Sequence, residues 1–577
     1  MKKSILFISL FILSYCSIAQ IPTPVGFPDG VTVGSGTTNG MFTPPLKSTV
    51  QINALTGMQT GMIIYDTDDK CLKIFNGSSW SCLTNSVSGS SVFSENGPSQ
   101  NFAKRISVGT GGVTANFSDM ELANDSLYVV GQFIDANGGL SGTVTMDDFV
   151  YNYVFSTNRN HTFISKYSPQ ANRVWTFQFP TNNISVADIK WHNSFLYMTG
   201  SFSGSVSLTV NGVPTTYTAS SSNDTFVAKM DGNGNILWFT QPTQSTGSDF
   251  GSCLAITKGT TDLYLAGSFT NTITLGGGAP LVSAGGTDVF ITLLDTNTGA
   301  YKAYGGNYQN IRGGGTGSDS PTNLTSLVSL TSGGSAPWAD LICTGTYTNS
   351  ITFGTTTASS PINDLNTFIA RFGQSSLSNP SMLLSIGGTS AGQSFTTSNQ
   401  MVDNNFYFGG NKTLTTLQVA TRYSISSGSL IIFGKTLSGV GTLLLNYDIS
   451  LYTGQLVLKK VIDFKNLKVT SLKNGILTGH MNANTPLLYL DNKLLSDSQQ
   501  KTIVMSLSGK SDLEWIRNGG HNNFAAYGTY ASENPLAVKN HSGKVWVCER
   551  YVGNHSFGDW MHYGDSGKWF GNLWALY

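Results

Sequence analysis

The chain has 577 residues, of which only 11% are charged, with 32 acidic and 32 basic side chains and a net charge of zero. That is about half the usual charged share. Neutrality leaves no basic footprint for nucleic acid, no polybasic run for anionic lipid and no long-range field to steer a charged partner.

Residues 1–19 read as an export signal. Lys2 and Lys3 form its positive end, Ile5 to Leu13 an apolar run too short to span a bilayer comfortably, and Ser17-Ile18-Ala19 a small-residue cleavage site. The mature chain is expected to begin at Gln20. Cys16 invites a lipid-anchored reading, but bulky Tyr15 precedes it, and cleavage after Ala19 is preferred. No later run of 18 apolar residues occurs, so the sequence predicts no transmembrane segment.

Residues 20–45, rich in Pro, Gly and Thr, read as a flexible arm. Residues 46–84 read as a small β-meander: strands at Met62–Tyr65, Cys71–Phe75 and Trp80–Leu83, joined by turns at Asp66–Asp69 and Asn76–Ser79. A loop centred between Gly77 and Ser78 sets Cys82 opposite Lys73, with Cys71 diagonally across. A Cys71–Cys82 disulfide suits an oxidising compartment but needs strong twist or a bulge. Gly61-Met62-Ile63-Ile64-Tyr65-Asp66-Thr67 and Phe75-Asn76-Gly77-Ser78-Ser79-Trp80 resemble a short module near the start of many exported bacterial proteins and of fibre-like attachment proteins. Ser-rich residues 85–98 read as a linker.

From residue 99 onward one pattern recurs seven times, about every 70 residues, as short strands and turns. A glycine column in the second strand falls at Gly131, Gly200, Gly267, Gly345, Gly410 and Gly479, with Glu549 in the seventh copy. Glycine there points to close backbone approach or to a turn with positive φ. The third strand carries Phe163, Phe226, Phe290, Phe368, Leu443, Ile503 and Leu573. Such a period predicts blades stacked around an axis. The chain stops on a third strand, Asn572–Tyr577, and the missing fourth strand appears ahead of copy one as Asn101–Ile106. The expected fold is all-β: a seven-bladed β-propeller over residues 99–577, closed by its N-terminal strand, which removes exposed sheet edges. Cys253, Cys343 and Cys548 lie in apolar strand patterns and are expected to be buried small hydrophobes.

Leu196-Tyr197-Met198-Thr199-Gly200-Ser201-Phe202, Asn223-Asp224-Thr225-Phe226-Val227-Ala228-Lys229-Met230-Asp231 and Gly234-Asn235-Ile236-Leu237-Trp238 resemble the SBBP-type β-propeller repeat of exported bacterial proteins. The resemblance covers about 475 residues and implies fold and export. It supplies no catalytic residues, and fold alone does not imply function.

Asp231, Asn233 and Asn235 have the one-three-five spacing of a calcium loop, but Ile236 stands where a loop glycine belongs and no Glu occupies position twelve. A turn is the preferred reading, and no cofactor or metal is expected. Trp546, His555, Trp560, His562 and Trp569 crowd the last copy. They form either an aromatic platform for a sugar or peptide or, the preferred reading, the filled core of a divergent blade. No Gly-x-Ser-x-Gly elbow or His-Glu-x-x-His word sits in a fitting context.

These features predict a non-catalytic exported protein that binds a protein or glycan in the periplasm or at the cell surface. One alternative is a polysaccharide-active enzyme, which would gather two or more carboxylates at the channel mouth. Another is a structural subunit of a cell-envelope complex. Nothing in the pattern specifies an oligomeric state or a binding face.

Overall fold

A computed structural model describes residues 45–82 without 69, 70 and 76, and residues 100–576 without 111–112, 124, 136–140, 154–160, 305–306, 329–338, 361–362, 373–378, 403–413, 451–455, 474, 482–487, 491–492, 497–501, 509–510, 512, 521–532, 540–544, 553–554, 558–559 and 563–568. The expected signal segment, nearly all of the arm, the linker and Gly410 lie outside the described residues. The described chain is all-β apart from one helix, Thr49–Asn53. It divides into two units, Met1–Ser88 and Gly89–Tyr577.

In the first unit four strands pair in the order Leu46–Lys47, Ile63–Asp66, Cys71–Phe75, Trp80–Cys82. The last three form the expected meander; the first adds a parallel partner, with Leu46 opposite Tyr65. The short helix begins with a capping box, in which Gln51 N donates to Ser48 Oγ at 3.3 Å and Ser48 N to Gln51 Oε1 at 2.9 Å. Buried Asp66 accepts from Lys73 Nζ at 2.6 Å and Thr49 Oγ1 at 2.7 Å. The described apolar core is small: Ile52, Ile64 and Phe75 are buried, while Leu46 and Val50 are 63% and 77% exposed. Cys82 pairs with Lys73 and Cys71 with Asp66, so the two cysteines stand diagonally. Their side chains lie outside the described residues.

The second unit consists of seven sequential copies whose strands pair in chain order. The first strands are Val113–Ala123, Ile184–His192, Asp249–Ile256, Asp319–Val328, Gln393–Val402, Leu467–Lys473 and Glu533–Lys539. Each lies beside the next, and Glu533–Lys539 lies beside Val113–Ala123. Trp569–Leu576, the third strand of copy seven, pairs antiparallel with Gln100–Gly109, as with Leu573 opposite Lys104.

The second strand pairs with the third so that Gly131 faces Phe163, Gly200 Phe226, Gly267 Phe290, Gly345 Phe368 and Gly479 Ile503. A register shift in the first strand stands opposite each of these glycines, for example between Gly251 and Cys253. It brings a carbonyl close: a Cβ on Gly200 would sit 1.8 Å from Ser185 O, and one on Gly345 2.2 Å from Ser320 O and 2.6 Å from Phe368 Cε1. Close approach, not a left-handed backbone, explains the column, since φ at these positions lies outside that region.

Two column assignments are corrected. The residue facing Leu443 is Thr421, not Gly410. The residue facing Leu573 is Cys548; Glu549 faces Asn572, one position further on. Both exceptions pair a branched aliphatic residue with a small side chain, where three of the five glycines instead have a phenylalanine ring over them.

Between the second and third strands each copy inserts residues that in several cases form a hairpin. In four cases the hairpin adds to the fourth strand of the preceding copy: Val108 pairs with Thr145, Gly313 with Phe353, Phe464 with Leu490 and Gly519 with Phe557. The hairpin of copy two, Ser205–Val210 with Val213–Thr218, differs. It joins its own sheet through Val210 and Ile236, which leaves Arg173–Gln178 of copy one as a sheet edge.

Candidate functional site

Alternation places every second residue of a strand on one face, and on two neighbouring first strands that face carries charge. After the register shift come Asp119 and, two residues on, Glu121; in copy two the same places hold Asp188 and Lys190. Lys473, at the end of the first strand of copy six, reaches the same group. Its Nζ hydrogen-bonds Asp119, donates to Met120 O at 3.0 Å and lies 3.8 Å from Glu121. Lys190 Nζ is 2.7 Å from Asp188. Three carboxylates and two ammonium groups therefore converge.

The two aspartates are already engaged. Asp119 accepts from Ile189 N at 3.0 Å and Asp188 from Leu254 N at 2.7 Å, so each ties one first strand to the next. Burial pushes the Asp119 carboxyl up, but Lys473 and Lys190 outweigh it and hold the group below the usual carboxylate range. Burial raises Asp188, and Asp119 beside it adds to that. Burial works against the Lys190 charge, yet Asp188, Asp119 and Glu121 together hold the ammonium strongly protonated. Glu121 is raised by burial. The sequence signal for this cluster was present: charged residues two apart on otherwise apolar strands. The link to Lys473 spans more than 350 residues of chain and has no local signature.

A groove of about 670 Å³ opens where the copy-two hairpin stays on its own sheet. Phe177, Pro180, Leu208, Asn211, Asp231 and Ile236 are among its lining residues, a mixture of one ring, apolar walls and polar tips that suits a polar ligand. Asp231 is committed to its own turn: Asn233 N and Asn235 N each donate to Oδ1 at 2.9 Å, and Asn235 Nδ2 to Oδ2 at 3.0 Å. Partial burial pulls this carboxyl up, but the hydrogen bonds from Asn235, Asn233 and Gly234 hold it below its ordinary value. The calcium-like spacing of Asp231, Asn233 and Asn235 thus builds a turn.

Of the aromatic group in copy seven, Trp546 does not belong to an exposed platform. It is 1% exposed and shares a core with Val113, Met120, Tyr167 and Cys548. Its place on the strand Val545–Val552, paired on both sides by Glu533–Lys539 and Trp569–Leu576, turns it inward. His555 and His562 face each other across a hairpin, and Trp569 faces Val552; Trp560 faces Phe557. The side chains of His555, Trp560, His562 and Trp569 lie outside the described residues. Cys253, Cys343 and Cys548 are buried. Among the described residues no three His, Cys, Asp or Glu side chains are grouped to hold a metal ion, and no helix is long and apolar enough to cross a membrane.

Residues 29–97 match the family described as phage tail like trimerisation region. The match takes in the whole meander. No curated protein matches the chain. Among solved structures, the tail fiber of a Staphylococcus aureus phage aligns at 9% identity over 82% of this chain and 96% of that one, with a TM-score of 0.14. A superposition that poor carries no argument about fold or function.

Proposed function

We propose that the chain is an exported, non-catalytic, fibre-like structural protein that trimerises through residues 29–97 and presents its second unit to a protein or glycan outside the cytoplasm. The match of residues 29–97 to a trimerisation region carries the reading. Physical chemistry supports it. Units of about 40 residues rarely fold alone without disulfides, metals or association, and among its described residues the first unit has three buried apolar side chains while exposing Leu46 and Val50.

The second unit is, in this reading, a closed seven-bladed β-propeller built from SBBP-type repeats. Two features favour closure: the seven first strands neighbour one another in sequence and back to the start, and Gln100–Gly109 completes the sheet that ends on Trp569–Leu576. The groove between copies one and two is the preferred site for a glycan or peptide. A polysaccharide-active enzyme is the second reading, favoured by the convergence of Asp119, Glu121 and Asp188. Against it, both aspartates are consumed by backbone amides and lysines. A subunit of an envelope complex fits the same fold and differs only in its partner.

Sedimentation equilibrium of the mature full-length protein tests the trimer. The expected mass is three chains, persisting on dilution well into the nanomolar range. A single-chain mass at micromolar concentration contradicts it.

A further inference from the structure

Three successive junctions between copies repeat one arrangement. The third strand of one copy opens on Asp224, Asp288 or Asn366, and the first strand of the next on Asp249, Asp319 or Gln393. All six side chains are buried. Four of the six cap the loop four residues before them: Ser220 N donates to Asp224 Oδ2 and Ala284 N to Asp288 Oδ2, both at 2.9 Å. In the same way Gly315 N donates to Asp319 Oδ2 at 3.1 Å and Thr389 N to Gln393 Oε1 at 2.8 Å. Backbone bonds join the strands, with Asp249 N on Asn223 O at 2.9 Å and Asp319 N on Thr287 O at 2.6 Å.

The junctions differ in how charge is balanced. Asn366 and Gln393 carry none. Asp288 and Asp319 have Arg312, whose Nε lies 3.6 Å from Asp288 Oδ2. Neither Asp224 nor Asp249 has an ion pair with a lysine or arginine among the described residues; the charge felt by Asp249 is that of Asp224. Both carboxylate oxygens of Asp249 are buried and make no hydrogen bond of normal geometry; the Ser245 hydroxyl lies close enough to favour the charged carboxyl but is itself engaged with Gly247. Two buried carboxylates without a counter-charge are costly, by several kcal/mol per ion.

Neutral oxygens stand around Asp224. Ser220 Oγ is 3.0 Å from Asp224 Oδ2, and Ser221 Oγ is 3.3 Å from both Asp224 Oδ1 and Ser245 Oγ. Ser221 also donates to Gly247 O. Carboxylates, hydroxyls and a carbonyl, with no sulfur or imidazole, form a donor set for a hard cation, and calcium completes its shell of six to eight oxygens from neutral groups and water.

We propose that Asp224 and Asp249 hold a calcium ion between copies two and three, with the hydroxyls of Ser220, Ser221 and Ser245 and the carbonyl of Gly247 around it. The ion supplies the counter-charge that Arg312 supplies at the next junction, and it pins loop 220–224 to loop 245–249. This inference is independent of trimerisation.

Calorimetric titration of the EDTA-stripped full-length mature protein with calcium chloride, alongside thermal unfolding at about pH 8, tests the site. Saturable binding and a rise of several degrees in Tm at excess calcium are expected. Asp249→Asn, which copies the amide solution of the third junction, should stay folded and lose at least tenfold in affinity. Asp319→Asn should bind as the parent does. Absence of binding, or binding unchanged in Asp249→Asn, overturns the proposal. So does a Tm that ignores calcium while Asp249→Asn raises stability at alkaline pH, the result expected of a shared proton.

Discussion

Gly267→Ala is expected to destabilise the second unit by more than about 3 kcal/mol, the size reserved for overpacking and buried strain. The added Cβ would sit 2.2 Å from Phe250 O and 2.4 Å from Phe290 Cζ. Neither neighbour can yield cheaply: the carbonyl belongs to the first strand at its register shift, and the Phe290 ring is fully buried. Thr421→Ala is the matched control at the corresponding place in copy five. There Leu443 stands opposite, and the Thr421 hydroxyl is buried without a hydrogen-bond partner, so its loss should change stability by less than about 1 kcal/mol. Phe290→Leu added to Gly267→Ala should recover part of the loss, because it removes the ring but leaves the carbonyl. Denaturant unfolding of the three variants checks this. Equal, small effects from Gly267→Ala and Thr421→Ala would show that the glycine column has no packing cause.

Alkaline pH is expected to weaken the same unit. Burial, helped by the charge of Asp288, raises the Asp319 carboxyl to about 8 from its ordinary 3.8; burial raises Asp249 to about 7. Folded protein therefore keeps protons that the unfolded chain has already released. The stabilisation is fully present below 3.8 and is lost as pH climbs through about 7 and about 8. For Asp319 alone the loss between about pH 4 and pH 9 is on the order of 5 kcal/mol. Bound calcium at Asp249 removes that group from the titration, so calcium-free protein is required. His480 works from the acid side: burial lowers it to about 4, so stability also falls as pH drops below 6.5. Comparison with Asp319→Asn isolates the carboxyl. That variant should lose the part of the alkaline slope that Asp319 contributes and become more stable than the parent above about pH 8. A parallel pH profile for parent and variant contradicts the assignment.

The strand sequence and its copies were legible because turn residues and apolar alternation are local signals. So was the pairing of Asn101–Ile106 with the chain's last strand, which follows from counting strands at the two ends. The glycine column read correctly wherever a phenylalanine or Ile503 marked the partner strand. It failed in copies five and seven, where Leu443 and Leu573 accept Thr421 and Cys548 and no glycine is needed. The charged cluster and the aspartate pairs stayed hidden for a different reason. Asp224 meets Asp249, and Lys473 meets Asp119, only through the packing of one copy on another, and each residue alone looks like an ordinary strand-end charge.

Amide hydrogen exchange of residues 100–109 against residues 569–576 and 113–123 tests closure of the second unit most directly. If Gln100–Gly109 completes the sheet of copy seven, its amides exchange as slowly as those of Trp569–Leu576, and both stretches open together at the free energy of global unfolding. Exchange of 100–109 at the rate of a free tail, while 113–123 stays protected, would contradict a closed ring.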